Sequence, residues 1–195
     1  MAWDTERTKQ LLLDAATAEF SARGLAGARV DRIAAAAGVN KERIYQYFGN
    51  KEQLFGTVLA NELALVMDAV PLSGTGSDAI IDYAGRVFDY HLSHPALARL
   101  TFWEGLELST PVAEDYRRER SRLKVDLVLL AVPELTRDQA EDLLLTILTL
   151  ADGYPALSNM DRIYTGSTGS DAQRRARRRA SFLATVRATL SELVR

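Results

Sequence analysis

Val30-Asp31-Arg32-Ile33-Ala34-Ala35-Ala36-Ala37-Gly38-Val39-Asn40-Lys41-Glu42-Arg43-Ile44-Tyr45-Gln46-Tyr47-Phe48 is the stretch whose reading decides how this chain is built. Val30, Ile33, Ala34 and Ala37 recur at the i, i+3, i+4, i+7 spacing of a short amphipathic helix, and Gly38 closes it as a C-terminal glycine does. Asn40 is a good N-cap for a second helix, Ile44 and Phe48 supply its buried pair, and Gly49-Asn50 breaks it. Two short helices joined by so tight a turn must cross steeply. Ile33, Ala34, Val39 and Ile44 then pack inward while the second helix turns its other face outward.

Outward from this unit the apolar residues keep helical spacing and no segment alternates like a strand, so the sequence predicts an all-α fold of about nine helices. Leu12, Ala16 and Phe20 stand four apart on a first helix of about residues 5–23 that Gly24 ends. Asn50 with Gln53 resembles a capping box for a fourth helix carrying Leu54, Phe55, Val58 and Leu59. Pro71 to Ser77 is a linker. Ile80, Ala84, Val87, Phe88 and His91 line a fifth helix, Pro95 heads a sixth and Thr110-Pro111 a seventh. Thr136 with Gln139 caps an eighth, and Ser170 with Gln173 a ninth that runs to the C-terminus; Asn159 to Gly169 reads as a loop between them. The expected organisation is a three-helix head over residues 1–52 and a helical body over 53–195.

Composition narrows the function. The 195 residues include no cysteine, which removes disulfides, thiolate metal sites and thiol nucleophiles together. No run approaches membrane-spanning length and the first residues carry acids where a leader has basic and apolar stretches, so a soluble, cytoplasmic protein without a membrane partner is expected. The formal net charge of −2 hides an uneven division. Residues 1–52 hold eight basic against seven acidic side chains, residues 53–170 nine against seventeen, and residues 171–195 seven against two. Arg29 to Lys51 is a small cationic patch of five basic residues and two acids. There is no Gly-rich phosphate loop and no serine-centred elbow, so no enzyme is expected and no cofactor is implied.

An exposed second helix is what the major groove of duplex DNA admits, and each base pair presents a distinct donor and acceptor pattern there. Ile33-Ala34-Ala35-Ala36-Ala37-Gly38-Val39-Asn40, followed by Ile44-Tyr45-Gln46-Tyr47-Phe48-Gly49-Asn50-Lys51-Glu52-Gln53-Leu54, resembles the signature of TetR (tetracycline-repressor-like) transcriptional regulators. The Ile-Ala, Ala-Gly-Val, Tyr-x-Tyr-Phe and Lys-Glu-x-Leu elements appear in order. The chain departs from the pattern at Glu42-Arg43, where Gly followed by Thr or Ala is common, and at Ala28-Arg29, where Thr is usual. The resemblance implies a repressor released from a palindromic operator by a small-molecule effector. It places Asn40, Lys41, Arg43, Tyr45, Gln46 and Tyr47 on DNA, with Arg29 and Lys51 near its backbone. Chemistry agrees, since Gln suits adenine, Arg suits guanine, and Tyr and Lys suit phosphates. Glu42 either accepts from cytosine or repels wrong sequences. The alternative function is an all-helical adaptor or sensor that acts through protein contacts, which would show no salt-sensitive DNA binding.

Outside the head the readings divide. His91 and His94 stand at i, i+3 spacing, but no third ligand matches them, so no metal site is expected. Arg174, Arg175, Arg177, Arg178 and Arg179 read as a solvated face rather than a second nucleic-acid surface. Tyr83, Phe88, His91, Phe102, Trp103, Glu104 and Tyr116 mix aromatic bodies with a few polar anchors, as core or as the lining of an effector pocket. Ala140, Leu143, Leu144, Ile147, Leu148 and Ala151 form a stripe on the eighth helix that leaves Leu145 and Leu150 outside it. A homodimer through Leu144, Ile147, Leu148, Ala151, Leu183, Val186 and Leu190 is expected, as a two-fold reader of two half-sites.

Overall fold

The structure is a computed structural model that describes residues 2–167 and 171–195, with side chains from residue 5 onward. Among the described residues it contains ten α-helices and no strand: α1 (Ala2–Gly27), α2 (Val30–Ala37), α3 (Glu42–Phe48), α4 (Lys51–Ala69), α5 (Gly76–Ser93), α6 (Pro95–Glu107), α7 (Glu114–Ala131), α8 (Arg137–Ala156), α9 (Ser158–Thr165) and α10 (Ala172–Leu193). The all-α expectation holds. Three boundaries differ. Asn159 to Gly166 is not a loop: α9 fills most of it, closed by Gly166 in the left-handed conformation and pinned by the Asp161 carboxylate, which accepts from Arg174 Nε at 2.9 Å. Thr110-Pro111 does not start α7, because the Glu104 carboxylate takes the N–H of Val112 at 2.8 Å and holds the chain outside the helix until Glu114. The expected cap Ser170 lies outside the described residues; the Asp171 carboxylate accepts from Gln173 N at 2.9 Å at the head of α10.

The chain divides into two compact units, and neither matches a border after residue 52. The first joins the chain up to residue 65 with residues 96–114; the second joins residues 66–95 with 115–195. In the first, Leu12, Phe20, Ile33, Ile44, Leu54, Phe55, Leu59 and Leu97 are fully buried, with Phe20 edge-on to Phe55 at 5.2 Å. In the second, α5, α8 and α10 pack around Phe88, whose ring stacks with Tyr154 at 5.7 Å and with Phe182 at 5.4 Å. His91 is buried beside them, its Nδ1 2.6 Å from Asp152 Oδ1. No group of side chains able to hold a metal ion is found among the described residues. The arginines of α10 serve this unit: Arg174 pairs with Asp161, Arg179 with Asp89 at 2.8 Å, and Arg178 lies over the Tyr154 ring.

The α8–α10 packing corrects the expected dimer surface. Ile147, Ala151, Val186 and Leu190 have at most 1% of their surface exposed and Leu144 7%, so all five are spent on the chain's own core. A stripe apolar enough to bind a symmetry mate was apolar because α5 covers it. Leu148 is exposed and Leu183 partly so, while Leu145 is 64% exposed on the outer side of α8.

The capping box of α8 is complete, with Thr136 Oγ1 accepting from Gln139 N at 3.3 Å and Gln139 Oε1 accepting from Thr136 N at 2.9 Å. Thr136→Ala removes one of these bonds and leaves a helix start short of an acceptor, at a cost of about 1 kcal/mol. A thermal melt should move down by roughly 2–4 °C for a chain of this size; an unchanged midpoint would remove the cap from the account of α8.

Candidate nucleic-acid interface

The turn between α2 and α3 is built as its sequence requires. Gly38 takes φ 65° and ψ 29°, and the N–H of Val39 reaches back to Ala34 O at 3.0 Å, satisfying the end of α2. Asn40 then caps α3: its Oδ1 accepts from Glu42 N at 3.1 Å and its Nδ2 donates to Glu42 Oε2 at 3.2 Å. Ile44 enters the core with no exposure, which fixes the rotation of α3 and leaves Glu42, Arg43, Tyr45 and Gln46 on the outside. Phe48, expected as the second buried residue, is only partly covered.

On that outer face Arg43 Nη1 donates to Gln46 Oε1 at 3.2 Å and to the Tyr47 hydroxyl at 3.2 Å. Because the phenol accepts from Arg43, its own proton is available to a phosphate. Tyr47 is half-buried, edge-on to Phe48 at 6.2 Å, with Lys9 of α1 5.8 Å from its ring centre. Tyr45 is 52% exposed. Lys41 pairs with Asp31 of α2 at 3.1 Å, and this hydrogen bond holds its ammonium above the ordinary lysine range. Arg29, exposed, precedes α2 in an extended conformation. Lys51 turns its ammonium to the carbonyls of Ala28 at 3.2 Å and Ala26 at 3.4 Å, tying the first turn of α4 to the end of α1. Asn40 and Lys51 therefore both hold the head together; the cap at Asn40 was expected, the bonds of Lys51 to the end of α1 were not.

Two carboxylates that the motif does not include set the angles of the head. Glu19 Oε1 accepts from the backbone N–H of Arg29 at 3.0 Å and from Arg32 Nε at 2.7 Å. The Arg32 hydrogen bond, followed by that of Arg29, keeps the Glu19 carboxyl below the usual carboxylate range despite the opposing effect of burial. Glu107 of α6 acts at Gly24, where α1 breaks with φ 69° and ψ −179°. Its Oε2 accepts from the N–H groups of Leu25 at 2.5 Å and Ala26 at 3.1 Å, which the break leaves without helical partners. One turn and two turns earlier on α6, Trp103 Nε1 and Arg99 Nε donate to Ser21 O at 3.3 and 2.6 Å. Arg99, Trp103 and Glu107 stand at i, i+4 and i+8, a polar stripe whose spacing alone was the signal that could have found them.

Of the residues expected around an effector, Tyr83, Phe88 and His91 are buried in the second unit, where Phe88 stacks with both Tyr154 and Phe182. Phe102, Trp103 and Glu104 belong to the first, with Trp103 bound to Ser21 and Glu104 to Val112. Tyr116 is exposed.

Comparison with known proteins agrees with this geometry. The family described as "Bacterial regulatory proteins, tetR family" matches residues 12–58, and "Tetracyclin repressor-like, C-terminal domain" matches residues 79–188. The chain is 39% identical over 182 residues to the HTH-type transcriptional repressor SCO4008 of Streptomyces coelicolor, covering 88% of this chain and 89% of that one. It is 32% identical over 110 residues to the HTH-type transcriptional repressor NicS of Pseudomonas putida, covering 54% and 51%. Among solved structures, that of the transcriptional regulator SCO4942 from Streptomyces coelicolor superposes with a TM-score of 0.73 at 30% identity, covering 93% of this chain and 97% of that one.

Gly24 tests the break. An added Cβ would stand 2.6 Å from Glu107 Oε1 and 2.8 Å from Trp103 Cε3 in a backbone region that only glycine adopts freely, so Gly24→Ala should cost at least about 1–3 kcal/mol. Gly27→Ala, whose Cβ meets only Arg23 Cβ at 3.4 Å, is the control and should be neutral within error. Equal unfolding midpoints for the two variants would refute the reading of the break.

Proposed function

Taking as its premise that the chain belongs to the TetR family of bacterial regulators, we propose a cytoplasmic repressor that holds a palindromic operator as a homodimer and lets it go when a small molecule binds. Membership makes it a DNA-binding transcriptional regulator. The observation that carries the reading is α3 itself, a helix fixed by one fully buried isoleucine with Arg43, Tyr45 and Gln46 projecting from the opposite side. Arg43 offers guanine a bidentate fork and Gln46 can pair with adenine. Tyr45, Tyr47, Lys41 and Arg29 supply phosphate contacts that position the helix without reading sequence. Asn40 and Lys51, both engaged inside the head, act mainly by holding its shape.

Supporting the homodimer is the outer surface of α8 and α10. Leu145 and Leu148 are 64% and 40% exposed on α8, and Ala176, Ala180, Ala184 and Ala188 line the exposed side of α10 every fourth residue. Small residues in such a row let two helices approach closely, and exposed leucines beside them gain by being covered. A single α3 touches too few base pairs to select one operator, so two-fold pairing is part of the function. An effector is received in the second unit and must bind the DNA-competent and DNA-incompetent forms unequally.

Two measurements test this. Arg43→Ala and Gln46→Ala should each cost about 1–3 kcal/mol of discrimination between operator and scrambled duplex in fluorescence anisotropy, with wild-type affinity falling steeply with salt; an untouched preference would mean that another face of α3 reads DNA. Leu145→Glu with Leu148→Glu should halve the mass seen by sedimentation and abolish operator binding while leaving helical content unchanged. A double variant that stays dimeric would place the interface elsewhere.

A further inference from the structure

A groove with about 200 Å³ of space runs along the second unit between the end of α4, the following Pro71-Leu72 connection and α7. Its walls are Met67, Pro71, Leu72, Leu123 and Leu127, and among the described residues the polar side chains lining it are the cations Arg120 and Lys124. Leu123 and Leu127 are 53% and 39% exposed, so an apolar ligand would cover surface that water now wets.

The two cations differ in their partners. Arg120 Nη2 is 3.3 Å from Asp68 Oδ1, an exposed carboxylate that gives it a counter-ion of small worth. Lys124 pairs with no carboxylate among the described residues. Its Nζ lies 4.8 Å from the centre of the Tyr83 ring and makes one long hydrogen bond, 3.4 Å, to Val70 O. Burial, with Arg120 and Arg86 nearby, lowers its pKa from the ordinary lysine value. An ammonium with three donors, half removed from water and satisfied by one distant carbonyl and a ring face, is a charge short of its anion.

We propose that this groove binds an amphipathic carboxylate, its anionic end at Lys124 and Arg120 and its apolar part along Met67, Leu72, Leu123 and Leu127. Arg120 already has Asp68 as a weak counter-ion while Lys124 has none among the described residues, so the unmet charge is about one, which suits a monoanion better than a phosphate dianion. A cationic ligand meets repulsion from the same two side chains. The inference rests on the effector reading above, to which it adds a ligand class and an address beside Tyr83.

Calorimetric titration of the full chain with decanoate, 1-decanol and decyltrimethylammonium separates the chemistry. Saturable decanoate binding is expected, weaker by roughly tenfold or more for the alcohol, as losing a charge-assisted bond implies, and absent for the cation. Lys124→Met, which keeps the stem and removes the charge, should weaken decanoate to the level of the alcohol, and Lys124→Arg should retain it. No saturable decanoate binding, equal binding of the three probes, or indifference to Lys124→Met overturns the proposal; the wild-type comparison decides even if a variant misfolds. Operator anisotropy distinguishes the two readings. Decanoate that binds through Lys124 and leaves DNA affinity unchanged keeps this site and rejects it as the effector switch.

Discussion

Leu25 and Ala26 have backbone N–H groups that the break at Gly24 deprives of helical acceptors, and the Glu107 carboxylate takes both. Much of the head depends on that bond. Without it a helix running straight from Thr5 through Gly27 would carry α2 away from its place, because the chain after Gly24 leaves in a direction set by a conformation that only glycine enters freely. The next link is Glu19, which takes the first N–H before α2 and the guanidinium of Arg32. Lys51 follows, donating to Ala26 and Ala28. Three charged side chains thus hold three backbone corners, and the recognition helix inherits its direction from them. Charged groups suit the task because a bond from a charged group to a backbone dipole is stronger than one between neutral partners, so each corner is fixed by few contacts.

The fold was legible where chain chemistry is local. Gly38, Asn40, the Asn50–Gln53 pair and the Thr136–Gln139 pair lie within four residues of the groups they satisfy, and each takes the expected role. Long-range partners were not legible. Glu107 meets Leu25 across 82 residues and Arg99 meets Ser21 across 78, and nothing in the spacing of either segment names the other. The outer residues of α3 could be read because one buried isoleucine fixes the helix rotation. The body could not be read so far, since Phe88 and His91 look alike as pocket lining or as core until Tyr154, Phe182 and Asp152 are seen to surround them.

The eighth helix shows why apolar character misleads about interfaces. Ile147 and Ala151 are the most regular part of its stripe, and they are fully buried within one chain. Core positions demand unbroken apolar spacing because an unpaired polar group there is expensive. A surface that is covered only by a partner tolerates polar neighbours, and the proposed interface at Leu145 fits this, since Leu145 shares its side with Glu141, Asp142 and Thr149. On a helix already committed to a core, the residues left to meet a partner are those that interrupt the pattern, not those that complete it.

Charge follows the same division of labour. The acidic excess lies in residues 53–170, and the head is close to neutral. A head with a large cationic surplus would bind any duplex tightly, since phosphate contacts carry most non-specific affinity. Here Asp31 neutralises Lys41, Glu19 neutralises Arg32, and Glu42 stands at the start of α3 facing outward. What remains unneutralised on α3 is Arg43, whose hydrogen bonds go to the uncharged Gln46 and Tyr47. An incoming guanine can exchange for those neutral partners without separating an ion pair, whereas reaching a phosphate with Lys41 first requires parting it from Asp31. On the proposed reading of Arg43, this arrangement restrains attraction to the uniform backbone and keeps that side chain ready for a base, which favours the ratio of specific to non-specific binding over raw affinity.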